Sequence, residues 1–200
     1  MHPRAVRAVI ASLLLLAGGC ATLAPPASSP ASQPWPERRS ALQRLEAFEL
    51  RGRVAVAAGE SGFNASLRWT QRGATARVDL AAPLGIGAAH IAQDGEQLVV
   101  TTSRGVRLAG AEAGAEIERE FGFQPPFASL RYWLLGAADP ASPAEETLDG
   151  EQRLAHLVQD GWRIDYADYQ VAAGQWLPRR VTLRRAAVRV RLLVQAWRLR

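Results

Sequence analysis

The chain has 200 residues and a mass of 21.6 kDa, and 48% of its residues are hydrophobic. This is enough for one domain with a sizeable core, and it excludes wholesale disorder. The single cysteine excludes an intrachain disulfide framework and any metal site with several cysteine ligands. All 24 basic residues are arginine, yet the net charge is only +5, which is weak support for a nucleic-acid-binding protein.

The first twenty residues have the pattern of a bacterial lipoprotein leader. Residues 1–7 carry two arginines and no acid, and residues 8–17 form an apolar run of ten. That run is too short to span about 30 Å of hydrocarbon as a helix, so it indicates a cleavable signal. Two glycines then precede Cys20, which we expect to become the lipid anchor; the alternative is an unused thiol in a protein cleaved elsewhere. By similarity to bacterial lipoproteins, Ala21 in place of an aspartate favours the outer membrane.

The leader is followed by a segment that lacks the composition of a folded domain. Residues 21–36 are rich in alanine, proline and serine, which is typical of a semi-rigid, extended tether. The sequence therefore divides into a signal peptide at 1–19, an anchor and tether at 20–36, and a single folded domain at 37–200.

The folded domain is predicted to be mostly β-structure. Apolar and polar residues alternate in many short segments, and turns containing glycine connect several of them, which indicates an antiparallel sheet. We predict roughly nine or ten strands, at 48–56, 63–70, 76–80, 87–92, 98–102, 106–108, 153–159, 162–166, 177–185 and 188–198.

Three short helices are predicted, at 37–46, 112–121 and 128–135, and residues 137–150 are predicted to be a loop. A sheet of nine or ten strands must curl, and its concave apolar face needs a cover. Because the helices can supply that cover, we expect an apolar cavity between them and the sheet, of the kind that binds hydrophobic ligands.

No arrangement of residues indicates catalysis. His90 and His156 lie in separate predicted strands, where a histidine with a structural role is the ordinary case. Glu145 and Glu146 fall in the predicted loop and are interpreted as solubilising residues. We find no nucleotide-binding loop and no metal-binding motif, so we expect no catalytic residues, no metal and no cofactor.

The aromatic residues are the more informative feature. Six tryptophans are spread over the domain instead of clustering in sequence. Ordinary core packing explains many such residues, and the functional alternative is a cavity lining for acyl chains. The candidates for this lining are Trp35, Phe48, Phe63, Trp69, Trp133 and Trp162.

The last two predicted strands are rich in arginine. Eight arginines and no acidic residue occur from Arg179 to Arg200. The simplest interpretation is a solvated strand face. Contact with anionic lipid head groups is the functional alternative, and nucleic acid is the weakest of the three.

Taken in order, several short motifs resemble the LolB family of outer-membrane lipoprotein receptors. The resemblance covers most of the chain after the leader, although the lipobox departs from the usual pattern because Ala17 replaces a leucine. The motifs are Trp35, RGR at 51–53, GFNAS at 62–66 with Trp69 and Gln71, PLG at 83–85, SLR at 129–131 with Trp133, Leu135-Gly136, GW at 161–162 with Tyr166 and Tyr169, LPR at 177–179, and Trp197.

The resemblance implies an incomplete, half-open antiparallel β-barrel with a helical lid over an apolar cavity. It further implies a monomeric acceptor that receives acylated lipoproteins from a periplasmic carrier of the LolA type. The acceptor would insert them into the outer membrane without nucleotide hydrolysis. In this family a leucine protruding from the Pro-Leu-Gly loop is implicated in insertion, and here that loop is Pro83, Leu84 and Gly85.

Two other functions stay open at this point. One is a structural outer-membrane lipoprotein whose curled sheet docks a protein partner, which predicts a packed interior without room for alkyl chains. The other is a lipid-processing hydrolase, which predicts acidic and histidine side chains that converge in the cavity.

Overall fold

The computed structural model of the protein describes residues 33–83 and 87–200. The predicted anchor Cys20 and the loop residues Leu84 and Gly85 lie outside these ranges. Within them, no helix has the length and apolar character needed to cross a membrane.

One antiparallel sheet of eleven strands forms the body of the domain, in the order β6-β5-β4-β3-β2-β1-β11-β10-β9-β8-β7. The strands β6 and β7 lie at its two edges, so the sheet is not closed into a barrel. The strands are β1 Ala47–Ala58, β2 Ser61–Arg72, β3 Thr75–Ala81, β4 Ala88–Asp94, β5 Gln97–Thr102, β6 Arg107–Ala109, β7 Ala144–Leu148, β8 Leu154–Gln159, β9 Trp162–Ala172, β10 Gln175–Arg185 and β11 Val188–Leu199.

Each long strand has an inner face and an outer face because its side chains alternate. On β1, Phe48, Leu50, Val54 and Val56 are buried, and the residues between them are more exposed. The same alternation continues on β2 and β3. The inner faces of these strands therefore form one apolar surface that the helices cover.

Strand β1 occupies the centre of the sheet, and its pairing with β11 is irregular. Arg51 pairs with Ala196 and Gly52 with Val194, so Gln195 is the extra residue of a β-bulge that bends β11. A Cβ atom at Gly52 would lie 2.3 Å from the backbone carbonyl oxygen of Leu193. Only glycine allows the two strands to approach this closely at the bend.

The three helices are α1 Trp35–Gln43, α2 Gly110–Phe121 and α3 Phe127–Leu135. Helices α2 and α3 lie in the chain between the edge strands β6 and β7. Helix α2 ends at Gly122, whose φ of +76° places it in the left-handed region. A Cβ at Gly122 would lie 2.6 Å from the Cβ of Ala58, so the end of α2 packs directly against the end of β1.

A buried hydrogen-bond network holds α3 against β8. The indole Nε1 of Trp133 donates to Oε1 of Gln159 at 2.7 Å. The Nε2 of Gln159 donates to the carbonyl oxygen of Asp139 at 2.8 Å, and the hydroxyl of Ser129 donates to Oδ2 of Asp139 at 2.8 Å. Because these groups are buried and paired, the network fixes the position of α3 on the sheet.

The predicted fold class is confirmed: the domain is mainly β, with short helices and one antiparallel sheet that stays open. The prediction that residues 137–150 form a loop is wrong, because Ala144–Leu148 is the edge strand β7. Glu146 on β7 accepts hydrogen bonds from Nε1 of Trp35 at 2.8 Å and from Nη1 of Arg39 at 2.9 Å. Its carboxylate holds α1 to the sheet, so the interpretation as a merely solubilising residue is also wrong.

Candidate functional site

A cavity of about 90 Å³ lies between the inner face of the sheet and the segment that runs from α2 to α3. Every residue that lines it is apolar, and none of them is titratable. The lining consists of Val54, Val56, Phe63, Leu67, Trp69, Val78, Leu80, Ile91, Phe121, Phe123, Pro125, Pro126, Phe127, Leu130, Leu134, Trp162, Leu183, Val190 and Leu192.

Three phenylalanines of the helical cover contact three aromatic residues of the sheet at the cavity. Phe121 contacts Phe63 with ring centroids 5.1 Å apart. Phe123 lies 5.8 Å from Trp162, and Phe127 lies 6.0 Å from Trp69. The two prolines between Phe123 and Phe127 interrupt the helical backbone, so this short connection presents all three rings to the sheet. We call residues 121–127 the aromatic cover.

An open groove of about 840 Å³ adjoins the cavity. The groove and the cavity share four lining residues, Phe63, Leu80, Ile91 and Phe121. Polar residues such as Asn64, Thr102 and Glu116 line the rest of the groove. The apolar cavity therefore borders a wider, partly polar groove along these four side chains.

Three of the six predicted lining residues, Phe63, Trp69 and Trp162, are brought together around the cavity. The contact of these residues with acyl chains stays a prediction.

The other three predicted residues are buried elsewhere. Trp35 lies on α1 and bonds to Glu146. Phe48 is near the start of β1, where its ring packs edge-on against Trp197 at 5.8 Å. Trp133 projects from α3 towards Gln159. Their alternation and spacing correctly indicate burial, but they do not line the cavity.

The sequence reasoning missed the aromatic cover. Residues 121–127 read FGFQPPF, so three phenylalanines stand within seven residues around a pair of prolines. This density of aromatic residues at a break between two helices was the available signal, because an exposed segment rarely carries three large apolar side chains.

The titratable side chains lie away from the cavity. His90 is hydrogen-bonded to Asp79 at 2.7 Å, and His156 to Asp165 at 2.8 Å, and both histidines are exposed on the outer face of the sheet. In residues 33–83 and 87–200, no three His, Cys, Asp or Glu side chains group as metal ligands. The arrangement offers an apolar space, and it does not bring acids and histidines together there.

Two tyrosines of β9, the buried Tyr166 and the half-buried Tyr169, lie outside the cavity lining. Burial, with a smaller effect from neighbouring acidic groups, raises the pKa of both Tyr166 and Tyr169. Both phenols are therefore neutral at physiological pH. The hydroxyl of Tyr169 donates to the carbonyl oxygen of Leu154 at 2.5 Å, which ties β9 to the start of β8.

The open curled sheet, the helical cover and the apolar interior define a half-open β-barrel that shelters an apolar space. The family profile described as outer membrane lipoprotein LolB matches residues 46–197. The chain belongs to this family. It is accordingly an outer-membrane lipoprotein with a role in lipoprotein localisation.

Relatives support this membership over almost the whole chain. The outer-membrane lipoprotein LolB of Nitrosococcus oceani is 33% identical over 192 residues, which are 96% of this chain and 96% of that protein. The protein of the same name from Alkalilimnicola ehrlichii is 35% identical over 198 residues, covering 96% of this chain and 97% of its own. Both are named as lipoproteins and not as enzymes.

Solved structures share the fold at low sequence identity. A LolA superfamily protein from Nitrosomonas europaea superposes with a TM-score of 0.52 at 11% identity, covering 84% of this chain and 94% of its own. A DUF1329 family protein from Desulfovibrio piger gives a TM-score of 0.55 at 7% identity, covering 82% of this chain and 90% of its own. These similarities describe the architecture alone.

Proposed function

We propose that this protein is the acceptor that receives acylated lipoproteins from a periplasmic carrier of the LolA type and inserts them into the outer membrane. The observation that carries the proposal is the wholly apolar cavity between the sheet and the aromatic cover. A buried methylene group is worth about 0.8 kcal/mol, so an acyl chain of a dozen or more methylenes resists exposure to water by roughly 10 kcal/mol. A protein that shelters such a chain removes this barrier to transfer.

The cavity must widen to take an acyl chain. A cavity of about 150 Å³ holds one benzene ring, so the present 90 Å³ accommodates only a few carbon atoms. The aromatic cover is the part that moves in this proposal, because it joins the ends of two short helices across a proline pair and its three phenylalanines line the cavity. The chain would then occupy the space that the three phenylalanines vacate, with the adjoining groove as an outlet.

The energy of opening is within reach of acyl-chain binding. Each aromatic pair contributes about 0.5–1.5 kcal/mol beyond its buried area, and exposing each phenylalanine costs about 1.5–3 kcal/mol more, so the three rings hold the cover with roughly 10 kcal/mol. Burying about a dozen methylenes of the acyl chain at ~0.8 kcal/mol each offsets that amount. Transfer therefore needs no nucleotide, provided that each acceptor binds the chain more strongly than the donor before it.

The assignments of the signal peptide, the lipid anchor and the insertion loop are based on the sequence. Residues 1–19 act as the signal peptide in this proposal. Cys20 carries the lipid, and residues 20–36 tether a single domain at 37–200 to the membrane. Anchoring raises the concentration of the acceptor beside its target membrane. Leu84, with Pro83 and Gly85, is assigned the insertion step by resemblance to the family.

Transfer of cargo from the carrier is the direct test. A purified LolA-type carrier loaded with an acylated lipoprotein is mixed with this protein, which is then recovered through an affinity tag. We expect the cargo to co-purify with this protein. Cargo that remains on the carrier would contradict the proposal and favour the structural lipoprotein that docks a protein partner.

Release into lipid tests the loop separately. The Leu84→Glu variant should still take cargo from the carrier but should fail to pass it to phospholipid vesicles. The matched control is Val106→Glu, since Val106 is an exposed apolar residue, 47% accessible, in the β5–β6 connection. The control should release cargo normally. Normal release by Leu84→Glu would show that the loop does not perform insertion.

A further inference from the structure

The outer face of the sheet carries a dense group of arginines. Strands β1, β2, β9, β10 and β11 are neighbours in the sheet, and their outward positions include nine arginines. These five strands contain only three carboxylates, Glu49, Asp165 and Asp168. We call the nine residues the arginine face: Arg51, Arg53, Arg68, Arg163, Arg180, Arg184, Arg189, Arg191 and Arg198.

Like charges stand side by side on this face. Arg189 on β11 pairs with Arg184 on β10, and Arg184 pairs with Arg163 on β9. Neighbouring strands lie only about 4.8 Å apart, and like charges directly opposite one another destabilise a sheet. The fold by itself gains nothing from this row, so an anionic ligand is the simplest reason for it.

The charge on this face is only partly neutralised within the domain. Arg51 and Arg68 share Glu49, Arg184 pairs with Asp165, and Arg180 pairs with Asp168. The other five form no ion pair across the part of the chain that the structure describes: Arg53, Arg163, Arg189, Arg191 and Arg198. Residues 1–32 and 84–86 contain no aspartate or glutamate that could supply one.

Exposed apolar side chains are interspersed among the arginines. Leu193 is 42% accessible and lies between Arg53 on β1 and Arg180 on β10. Val158 is 37% accessible and pairs with Arg163. A surface that combines guanidinium groups with apolar side chains suits the lipid interface, where phosphates lie next to hydrocarbon.

The chemistry of the side chain favours phosphate. Guanidinium binds phosphate oxygens through two parallel hydrogen bonds and is weakly hydrated, so arginine is suited to partly desolvated phosphate contacts. The family places the protein at the outer membrane, so a phospholipid surface lies within its reach. Strands of 11 or 12 residues make the face roughly 35–40 Å long, so several head groups can bind at once.

We propose that the arginine face is a docking surface for anionic phospholipid, which lays the outer side of the sheet flat on the membrane. The helices and the cavity then face away from the bilayer, towards the aqueous compartment. The proposal rests on the outer-membrane localisation and is independent of lipoprotein transfer, because a protein with any function at that membrane could dock in this way.

A single reactive thiol reports the orientation. In the full, lipid-anchored protein the native cysteine is acylated, so Leu193→Cys introduces one free thiol at the centre of the face. The protein is reconstituted in vesicles of phosphatidylcholine alone or of equal parts phosphatidylcholine and phosphatidylglycerol. The rate of modification by a polyethylene glycol maleimide is then measured. We expect modification to slow by about tenfold or more in the anionic vesicles and to recover at about 1 M salt, where charges are screened beyond about 3 Å.

Two controls separate docking from general effects. Ala111→Cys, on exposed helix α2 over the opposite side of the sheet, should react at the same rate in both kinds of vesicle. Arg189→Gln with Arg191→Gln should lower the docking equilibrium constant by roughly 25-fold, from about fivefold per arginine near an anionic surface, so a tenfold protection of residue 193 should fall below about twofold. The matched pair Arg44→Gln with Arg104→Gln removes the same charge from exposed positions off the face and should leave protection unchanged.

The outcomes distinguish the partners. Equal reactivity of residue 193 in both vesicles overturns the proposal. Protection that appears in phosphatidylcholine vesicles only when the carrier is added also overturns it and assigns the face to a protein partner. The cargo co-purification assay on the same arginine variants is read separately, so failure of docking and failure of the acceptor function are distinguishable.

Discussion

Filling the cavity should stabilise the domain and impair its binding of acyl chains. Val54 is the best position for this change, because it lies in the middle of β1, is 9% accessible and lines the cavity. Its partner on β2 is the small residue Ala65, which leaves room beside it. We therefore consider the substitution Val54→Phe, which directs a larger apolar ring into the empty space.

The expected change in the free energy of unfolding follows from the cavity volume. An unfilled cavity costs about 24 cal/mol per Å³, so the 90 Å³ space costs the native state about 2 kcal/mol. A ring that fills about half of it should raise the free energy of unfolding by about 1 kcal/mol. The matched substitution Val181→Phe has no such space, since Val181 is fully buried and lies outside the lining. It should lower the free energy of unfolding by about 1–3 kcal/mol.

Denaturant unfolding of the two variants measures this contrast, and binding of a fluorescent long-chain fatty acid measures the functional effect. Loss of room for two or three methylenes should weaken binding of the Val54→Phe variant by about tenfold or more, at ~0.8 kcal/mol per methylene. If Val54→Phe destabilises the domain as much as Val181→Phe, the space beside β1 cannot accommodate a phenylalanine ring. If its fatty-acid affinity is unchanged, the acyl chain binds elsewhere.

Three further predictions concern the framework of the site. Gly52→Ala should destabilise the domain by about 2–3 kcal/mol or more in denaturant unfolding, because its Cβ would overlap a backbone carbonyl oxygen at 2.3 Å; an unchanged midpoint would show that the bulge adjusts freely. Gln159→Leu leaves the Trp133 indole N–H and other buried groups unpaired, and should cost about 3 kcal/mol or more, with a changed tryptophan emission spectrum. Burial acts to raise the pKa of Asp149, but hydrogen bonds from the backbone and side chain of Arg153 outweigh it and lower that pKa. This carboxylate therefore stabilises the fold above its unfolded pKa of about 4, and the contribution is lost as pH falls through the lower folded value. The stability difference between wild type and Asp149→Asn should accordingly be present at pH 7 and shrink in acid; a difference that is independent of pH would contradict this.

Local sequence predicted most strands because alternation records which side chains face the core. The ten predicted segments correspond to ten of the eleven strands, with ends shifted by a few residues. The longest extension is β9, which the prediction ended at Tyr166 and which continues to Ala172. Strand β7 was missed because its sequence, AEETL, lies among prolines and acids. Its strand conformation depends on pairing with β8 and on the hydrogen bonds that α1 donates to Glu146. Helix α1 precedes β7 by about 100 residues in the chain, so no local pattern indicates this contact.

The residues that line the cavity were also predicted only in part. Alternation placed Phe63 and Trp69 on the inner face, but it placed Phe48 there equally. The two groups differ in what covers them: Phe63 and Trp69 meet the aromatic cover, whereas Phe48 packs against Trp197. Which inward side chain borders empty space depends on the curl of the sheet and on where the helices lie, and no local pattern records either.

By itself, the sequence determined the β-rich class, the helical cover and the family, and it predicted a lipoprotein leader. These follow from composition, from short-range periodicity and from motifs that stand in a fixed order. The tertiary structure alone decided that three phenylalanines line the cavity, that Glu146 holds the first helix, and that arginines from separate strands form one face. Contacts between residues far apart in the chain create these features. They appear only when the whole sheet is assembled, because strand order and curvature bring distant side chains together.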